Sequence, residues 1–297
     1  MTHCHHHDHE AHHDGVEQRL SWSMWLNIAL TLAQIVGGVL SGSLALIAEA
    51  VHNFSDALTL LMAVVARKIG RRKPDLKRTY GYKKVETLAA YTNFISLILI
   101  SIWLAFEAVG RLISPEQVGG WTVIIIAVIA FVVNTTTVLL LRRDQENSQN
   151  VRAAFLHNLA DTLSSLGVVV AGVLIVLLDW QWVDPVITLL ISAYIVWHAF
   201  HDLPDVVNIL IDGAPRSVAL HDVVKAIRAV HGVDDVHHVH VRYLSEHSYA
   251  MEAHIVLRDG ASEAEVKHLI EAQMAQFHIA HTTLECEREA CGHAECT

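Results

Sequence analysis

The sequence predicts a multi-pass α-helical membrane protein, six transmembrane helices followed by a small cytosolic α+β domain. Three observations predict it. The chain of 297 residues is 53% hydrophobic, with a mean hydropathy of +0.36, too apolar for an ordinary soluble protein. Six stretches approach the roughly 20 residues that cross a bilayer as a helix. Beyond residue 205 the pattern changes to alternating charged and apolar residues, which cannot span a membrane.

The six stretches are residues 22–41, 43–66, 86–112, 121–141, 151–178 and 183–204. Pro74, Pro115, Pro185, Pro204 and Pro215 all fall in loops or at span ends on this segmentation, so no span is interrupted. Basic residues stay on the cytosolic side of short loops. The loop "RKIGRRKPDLKRTYGYKK" and the segment with Arg142, Arg143 and Arg152 are therefore cytosolic, while "GRLISPEQVGG" and "LDWQWVDP" are short and nearly free of base. Alternation then puts both termini in the cytosol. The polar, His-rich start is no cleavable signal peptide.

A net charge of −10, with the acid in the tail and the base near the membrane surface, excludes a nucleic-acid footprint. Anionic lipid headgroups account for the surface base. Cys4, Cys286, Cys291 and Cys296 all fall in cytosolic segments, where metal binding is a better use of cysteine than disulfides. The domain plan is a His-rich disordered terminus over residues 1–20, a membrane domain over 21–205, an α+β domain over 206–290 and a Cys-containing end over 291–297. In the α+β domain, residues 217–230 and 262–277 read as helices, and "DDVHHVHVRY", "SYAMEAHIVL" and "HTTLECE" as strands.

The second span carries "EAVHNFSDALTLL", residues 49–61, and the fifth carries "AAFLHNLADTLSSL", residues 153–166, the same His-Asn-x-x-Asp pattern twice. Charged groups cost about 2.5–3.5 kcal/mol each in a bilayer on insertion scales, so they turn inward and mark ion or proton paths. His52 and Asp56 are four residues apart, as are His157 and Asp161, and that spacing puts each pair on one helix face. Two facing helices would present two imidazoles and two carboxylates, a set suited to tetrahedral Zn²⁺ whose charge the carboxylates cancel. For one copy, a self-satisfied His–Asp hydrogen bond is an equal alternative; the duplication favours an ion site. Asn53, Asn158, Ser55, Thr59, Ser164 and Ser165 read as supporting groups, and Gln34 and Asn134 as weaker ones. No H-E-x-x-H or comparable motif occurs, and four protein ligands leave no open metal position, so the sequence does not describe an enzyme.

These residues resemble the cation diffusion facilitators, the family of bacterial zinc exporters and eukaryotic zinc transporters. The likeness runs through "SGSLALIAEAVHNFSD", "NVRAAFLHNLADTLSSLGV", the six spans, the α+β tail and the His-rich terminus. It implies that His52, Asp56, His157 and Asp161 hold the transported ion, Zn²⁺ first with Cd²⁺ possible as substrate. It also implies a homodimer working by alternating access, and a ferredoxin-like, metallochaperone-like tail. Because a ligand imidazole must be neutral, protons compete with Zn²⁺, and the expected activity is Zn²⁺/H⁺ antiport out of the cytosol across a bacterial inner membrane. A membrane-bound zinc sensor that binds without moving the metal is the alternative.

Four further expectations rest on the resemblance. His237, His254, His268 and Glu287 match a regulatory zinc site in the tail, although strand alternation sets His238 and His240 on one face and His237 on the other. Lys84 matches a lysine that pairs with an aspartate after the sixth span, here Asp212, the other reading being a surface lysine on the cytosolic side. The loop after the second span offers only Asp75, with Arg78 and Tyr82 where some relatives carry ligands, so no metal is expected there. The terminal "MTHCHHHDHEAHHDG" reads as a zinc collector, or His3, Cys4 and His5 join Cys291 and Cys296 around an ion.

Overall fold

A computed structural model describes residues 28–70, 72–142, 149–245 and 248–289. The contacts divide the chain into two compact units, one of residues up to Leu61 with Asn93–His201, the other of Met62–Thr92 with Asp202 onward. Helices occupy all six stretches read as spans: α1 (Ile28–Ser41), α2 (Leu44–Gly70), α3 (Val85–Ile113), α4 (Gly120–Leu141), α5 (Gln149–Leu178) and α6 (Val183–Leu210). By length and composition, α3, α4, residues 155–178 of α5 and α6 are long and apolar enough to cross a membrane. α2 matches them in length but carries Glu49, His52, Asn53 and Asp56.

Two kinds of surface organise the first unit. Leu40, Phe106, Leu140 and Leu177 are 71–79% exposed, the face that lipid tails would cover. Inside, small and branched residues such as Ala45, Ala48, Ala127, Val123 and Val168 are fully buried. Helix contacts there depend on small residues. At Gly172 a Cβ would stand 2.8 Å from a side-chain carbon of Ile124 and 3.2 Å from its backbone nitrogen, so glycine is what lets α5 lie against α4.

α2 starts in an unexpected way. It has no acidic residue in its own first turn, yet the carboxylate of Asp184, from the first turn of α6, accepts bonds from the Ser43 hydroxyl at 2.5 Å and the Leu44 amide at 2.8 Å. The Leu44 amide, like that of Ala45 at 3.4 Å, is one a helix leaves unsatisfied at its start, and a capping carboxylate normally comes from the same chain segment. Arg111, the base near the opposite loop, is tied to Glu116 at 3.1 Å and to the Gly42 carbonyl. One expectation is corrected here. Pro204 does not end the sixth helix, which runs on to Leu210; a proline removes one amide donor but leaves the following helix geometry available.

The second unit holds an α+β module in the expected order: α7 (Leu220–Arg228), β1 (Val233–Ser245), β2 (Ser248–Leu257), α8 (Glu263–Met274) with a short 3₁₀ turn, and β3 (Ile279–Glu287). β2 is central, antiparallel to β1 and parallel to β3, with α8 as the crossover that a parallel pair requires. Val223 and Ile227 of α7 and Val266, Ile270 and Met274 of α8, spaced at i, i+4 and i+8, pack on Val239, Val241, Met251 and Ile255. Acidic Asp222 opens α7 and Lys225 and Arg228 close it, matching the helix dipole. One sheet face is thereby covered by helices and the other is left to polar residues.

Candidate metal centres

The duplicated pattern on α2 and α5 meets in the first unit. Nε2 of His52 lies 3.3 Å from Asp161 and 3.8 Å from Asp56, and Nε2 of His157 lies 3.2 Å from Asp56 and 3.6 Å from Asp161. In each case the shorter contact runs to the other helix. The reading of each pair as a hydrogen bond closed within its own helix therefore loses its support. His52, His157 and Asp161 offer ligand atoms within 4.8 Å of one another, and Asp56 touches both imidazoles. His52 and Asp161 are the more buried, at 15% and 9% exposure, while Asp56 and His157 are 33% and 40% exposed, so the cluster opens on one side. Tyr194 of α6 sets its ring edge-on to His52 at 6.2 Å.

Glu49 was not singled out from sequence. It is 2% exposed, accepts a bond from the Ser165 hydroxyl, and leaves its other oxygen without a partner among the described residues. Ser165 also accepts from Asn134 at 3.2 Å, and Gln34 accepts from Asn53 at 2.9 Å. Asn93 of α3, also missed, donates to Ser55 and Thr59, both at 2.9 Å. Glu49, His52 and Asp56 fall at i, i+3 and i+7, and His157, Asp161 and Ser165 at i, i+4 and i+8. The two antiparallel helices thus form three rungs, Asp56–His157, His52–Asp161 and Glu49–Ser165. The heptad-like spacing of Glu49 was the available signal.

In the C-terminal module, His237, His254 and Glu287 form a second cluster, with ligand atoms within 4.8 Å of one another. His254 Nδ1 is 2.7 Å from one Glu287 oxygen, His237 Nε2 is 3.5 Å from the other, and Glu285 reaches His254 Nε2 at 3.5 Å. The alternation argument fails at this strand. His237 pairs with His254 and His240 with Glu252, and cross-strand partners share a face, as do residues two apart. His237 and His240 therefore share a face although they stand three positions apart. A β-bulge at His238, whose φ is +53°, absorbs the extra residue and sends Val239 into the core. His268 is exposed on α8, which covers the opposite face, so one chain does not bring it to the cluster.

Lys84 Nζ lies 2.6 Å from Asp212, with Arg242 3.6 Å away and its guanidinium over the Tyr80 ring at 4.8 Å. Asp212 holds a left-handed backbone, φ +59°, at the turn closing α6. Asp75 is committed to its own turn: it accepts from the amides of Lys77 and Arg78 and from the Tyr82 hydroxyl at 2.6 Å, and these bonds hold its carboxyl below the usual range. His3, Cys4, His5, Cys291 and Cys296 lie outside the described residues.

Apolar helices with ionisable groups gathered between α2 and α5, joined to an α+β module, are the frame of a polytopic membrane protein. The model of the cation efflux transmembrane domain matches residues 20–211, and that of the cation efflux protein cytoplasmic domain matches residues 215–289. The chain belongs to the cation efflux family, a family of transporters and not of enzymes. It is 35% identical to the zinc transporter ZitB of Shigella flexneri, over 99% of this chain and 95% of that one. It is 29% identical to a cadmium, cobalt and zinc/H(+)-K(+) antiporter of Bacillus subtilis (strain 168), over 95% and 93%. It is 34% identical to the cation efflux system protein CzcD of Alcaligenes sp. (strain CT14), over 98% and 92%.

Proposed function

We propose that this chain exports Zn²⁺ from the cytosol in exchange for protons, as a homodimer in a bacterial inner membrane with both termini cytosolic. The crossed His–Asp contacts between α2 and α5 carry the reading. Two imidazole nitrogens and two carboxylates from facing helices suit a tetrahedral dication, and the carboxylates offset its charge where water is scarce. The zinc named for the relatives supports Zn²⁺ as first substrate, and the cadmium and cobalt named for one of them support Cd²⁺ as a further one.

The ligand nitrogens must be free of protons before metal binds, and an imidazole's ordinary pKa near 6.5 places that competition near neutral pH. Metal binding from the cytosol therefore releases protons, and protons arriving from the far side displace metal. The buried and open flanks of the cluster are compatible with access from one side at a time. In the tail, His237, His254 and Glu287 form a regulatory zinc site, to which His268 is added from the second subunit. The Lys84–Asp212 tie steadies the chain where the last span meets that module.

Flux in proteoliposomes tests the transport reading. We expect Zn²⁺ movement that depends on a pH gradient and that drops to background in Asp56→Ala and Asp161→Ala. Zinc binding with no flux in the unaltered protein would instead establish a sensor and sink the proposal.

A further inference from the structure

The bulge that reunites His237 with His240 also leaves two imidazoles outside the three-ligand cluster. His238 and His240 face each other Nε2 to Nε2 at 3.3 Å, with rings perpendicular at 90° and centroids 4.5 Å apart. That separation is longer than the roughly 2.7–3.2 Å of a good hydrogen bond. It equals the spacing of two nitrogens on one tetrahedral ion, about 3.3–3.4 Å for Zn–N bonds of about 2.0–2.1 Å. Nothing among the described residues binds Nδ1 of His238, and the partner recorded for its Nε2 is the His240 nitrogen, so a proton on Nδ1 would leave Nε2 as a lone-pair donor.

The surroundings complete a coordination shell. His240 is exposed and lines a cleft of about 470 Å³ together with Glu252, Arg242 and Asp212, which gives an ion access and room for its waters. Glu252 is the register partner of His240 and shares its face; its carboxylate now leans on Arg242 at 3.7 Å. The ring of His254 stands 4.9 Å from that of His238 and 5.4 Å from that of His237, so this pair adjoins the cluster already described through His254.

We propose that His238 and His240 form a second metal site on the open face of the sheet, taking a borderline divalent ion such as Zn²⁺ or Co²⁺ with Glu252 and water completing the shell. Glu252 must leave Arg242 to reach the ion, so this site holds it less tightly than the His237, His254 and Glu287 set, whose ligand atoms already lie within 4.8 Å of one another. The module therefore fills in two steps as cytosolic metal rises, and the second step registers excess. The inference does not depend on what the first cluster does, or on transport.

Calorimetric titration of the full-length protein with Zn²⁺, and of the same protein with Co²⁺ followed by its visible absorption, tests it. Both are run on the unaltered chain, on His238→Ala/His240→Ala, on the single variant His240→Gln at an exposed position, and on Glu287→Ala. The expected result is loss of one weak equivalent and its cobalt absorption in the first two variants with the tighter binding kept, and the converse in Glu287→Ala. Unchanged binding in both His variants overturns the proposal. So does simultaneous loss of both classes in any variant, since that makes the histidines one site. Flux by all of these proteins leaves the transport reading to be judged separately.

Discussion

At the scale of the residue, Glu49 separates what a buried carboxylate does for stability from what it does for function. One of its oxygens is bonded and the other has no partner among the described residues, and a half-satisfied buried acid adds little to folding. Its place as a third rung beside His52–Asp161 explains its presence better, as part of the ion's route. Glu49→Gln keeps an acceptor for Ser165 and the shape of the side chain, and removes only its ability to give up a proton and meet a cation as a carboxylate. We predict that this variant melts within a few degrees of the unaltered protein in detergent while its zinc flux falls roughly tenfold or more, the loss of a charge-assisted contact of about 1.5–3 kcal/mol. Equal melting and equal flux would reduce Glu49 to a packing residue. The paired His and Asp were legible because a duplicated pattern stands out against apolar helix. Glu49 gave a fainter sign, its i, i+3, i+7 spacing with His52 and Asp56, because the fifth span answers it with Ser165 rather than with a second ionisable group.

At the scale of the element, ties between segments decide behaviour that each segment's own sequence conceals. Six helices and the order of the tail could be read from hydrophobic runs and alternation, and their boundaries moved by a few residues. The bulge at His238 could not, since a slip in strand register depends on the partner strand and on the core's demand for Val239. The cap on α2 was equally hidden, its carboxylate lying on α6 at Asp184. Asp212 gives an element-scale prediction. Partial burial would raise its carboxyl, but the Lys84 hydrogen bond and the charges of Lys84 and Arg242 outweigh it and hold the group below its usual range. A depressed carboxyl contributes above the unfolded value near 4 and is lost only as pH falls through the lower folded value. Hydrogen-exchange protection, the rate relative to that of an unstructured chain at the same pH, should thus be unchanged at residues 81–84 and 211–213 between pH 7 and 5 and should fall below about pH 4. Loss of protection already at pH 6 would mean that some other group governs the tie.

At the scale of the whole molecule, charge balance in the membrane sets the exchange. In the proposed site, two carboxylates and two neutral imidazoles sum to −2, which one Zn²⁺ cancels and which two protons, one in each crossed His–Asp pair, also cancel. A site that must cross between faces while loaded is least costly when neutral in both loads. We therefore predict two protons per Zn²⁺ and a flux in proteoliposomes indifferent to an imposed potential at fixed pH gradient. A rate that follows the potential, in proportion to about 2.3 kcal/mol per net charge per 100 mV, would show a different count.

The fastening of Leu44 and Ser43 to Asp184 also has a mechanical meaning. It makes the first turn of α2 a fulcrum, and the helix beyond it a lever. At 1.5 Å per residue, Glu49 stands about 7–8 Å from Leu44 and Asp56 about 18 Å, so a tilt of about 5° would carry them roughly 0.7 Å and 1.6 Å. Asp56 thus travels more than twice as far as Glu49, and the rung it forms with His157 is the one that any rocking of α2 opens first.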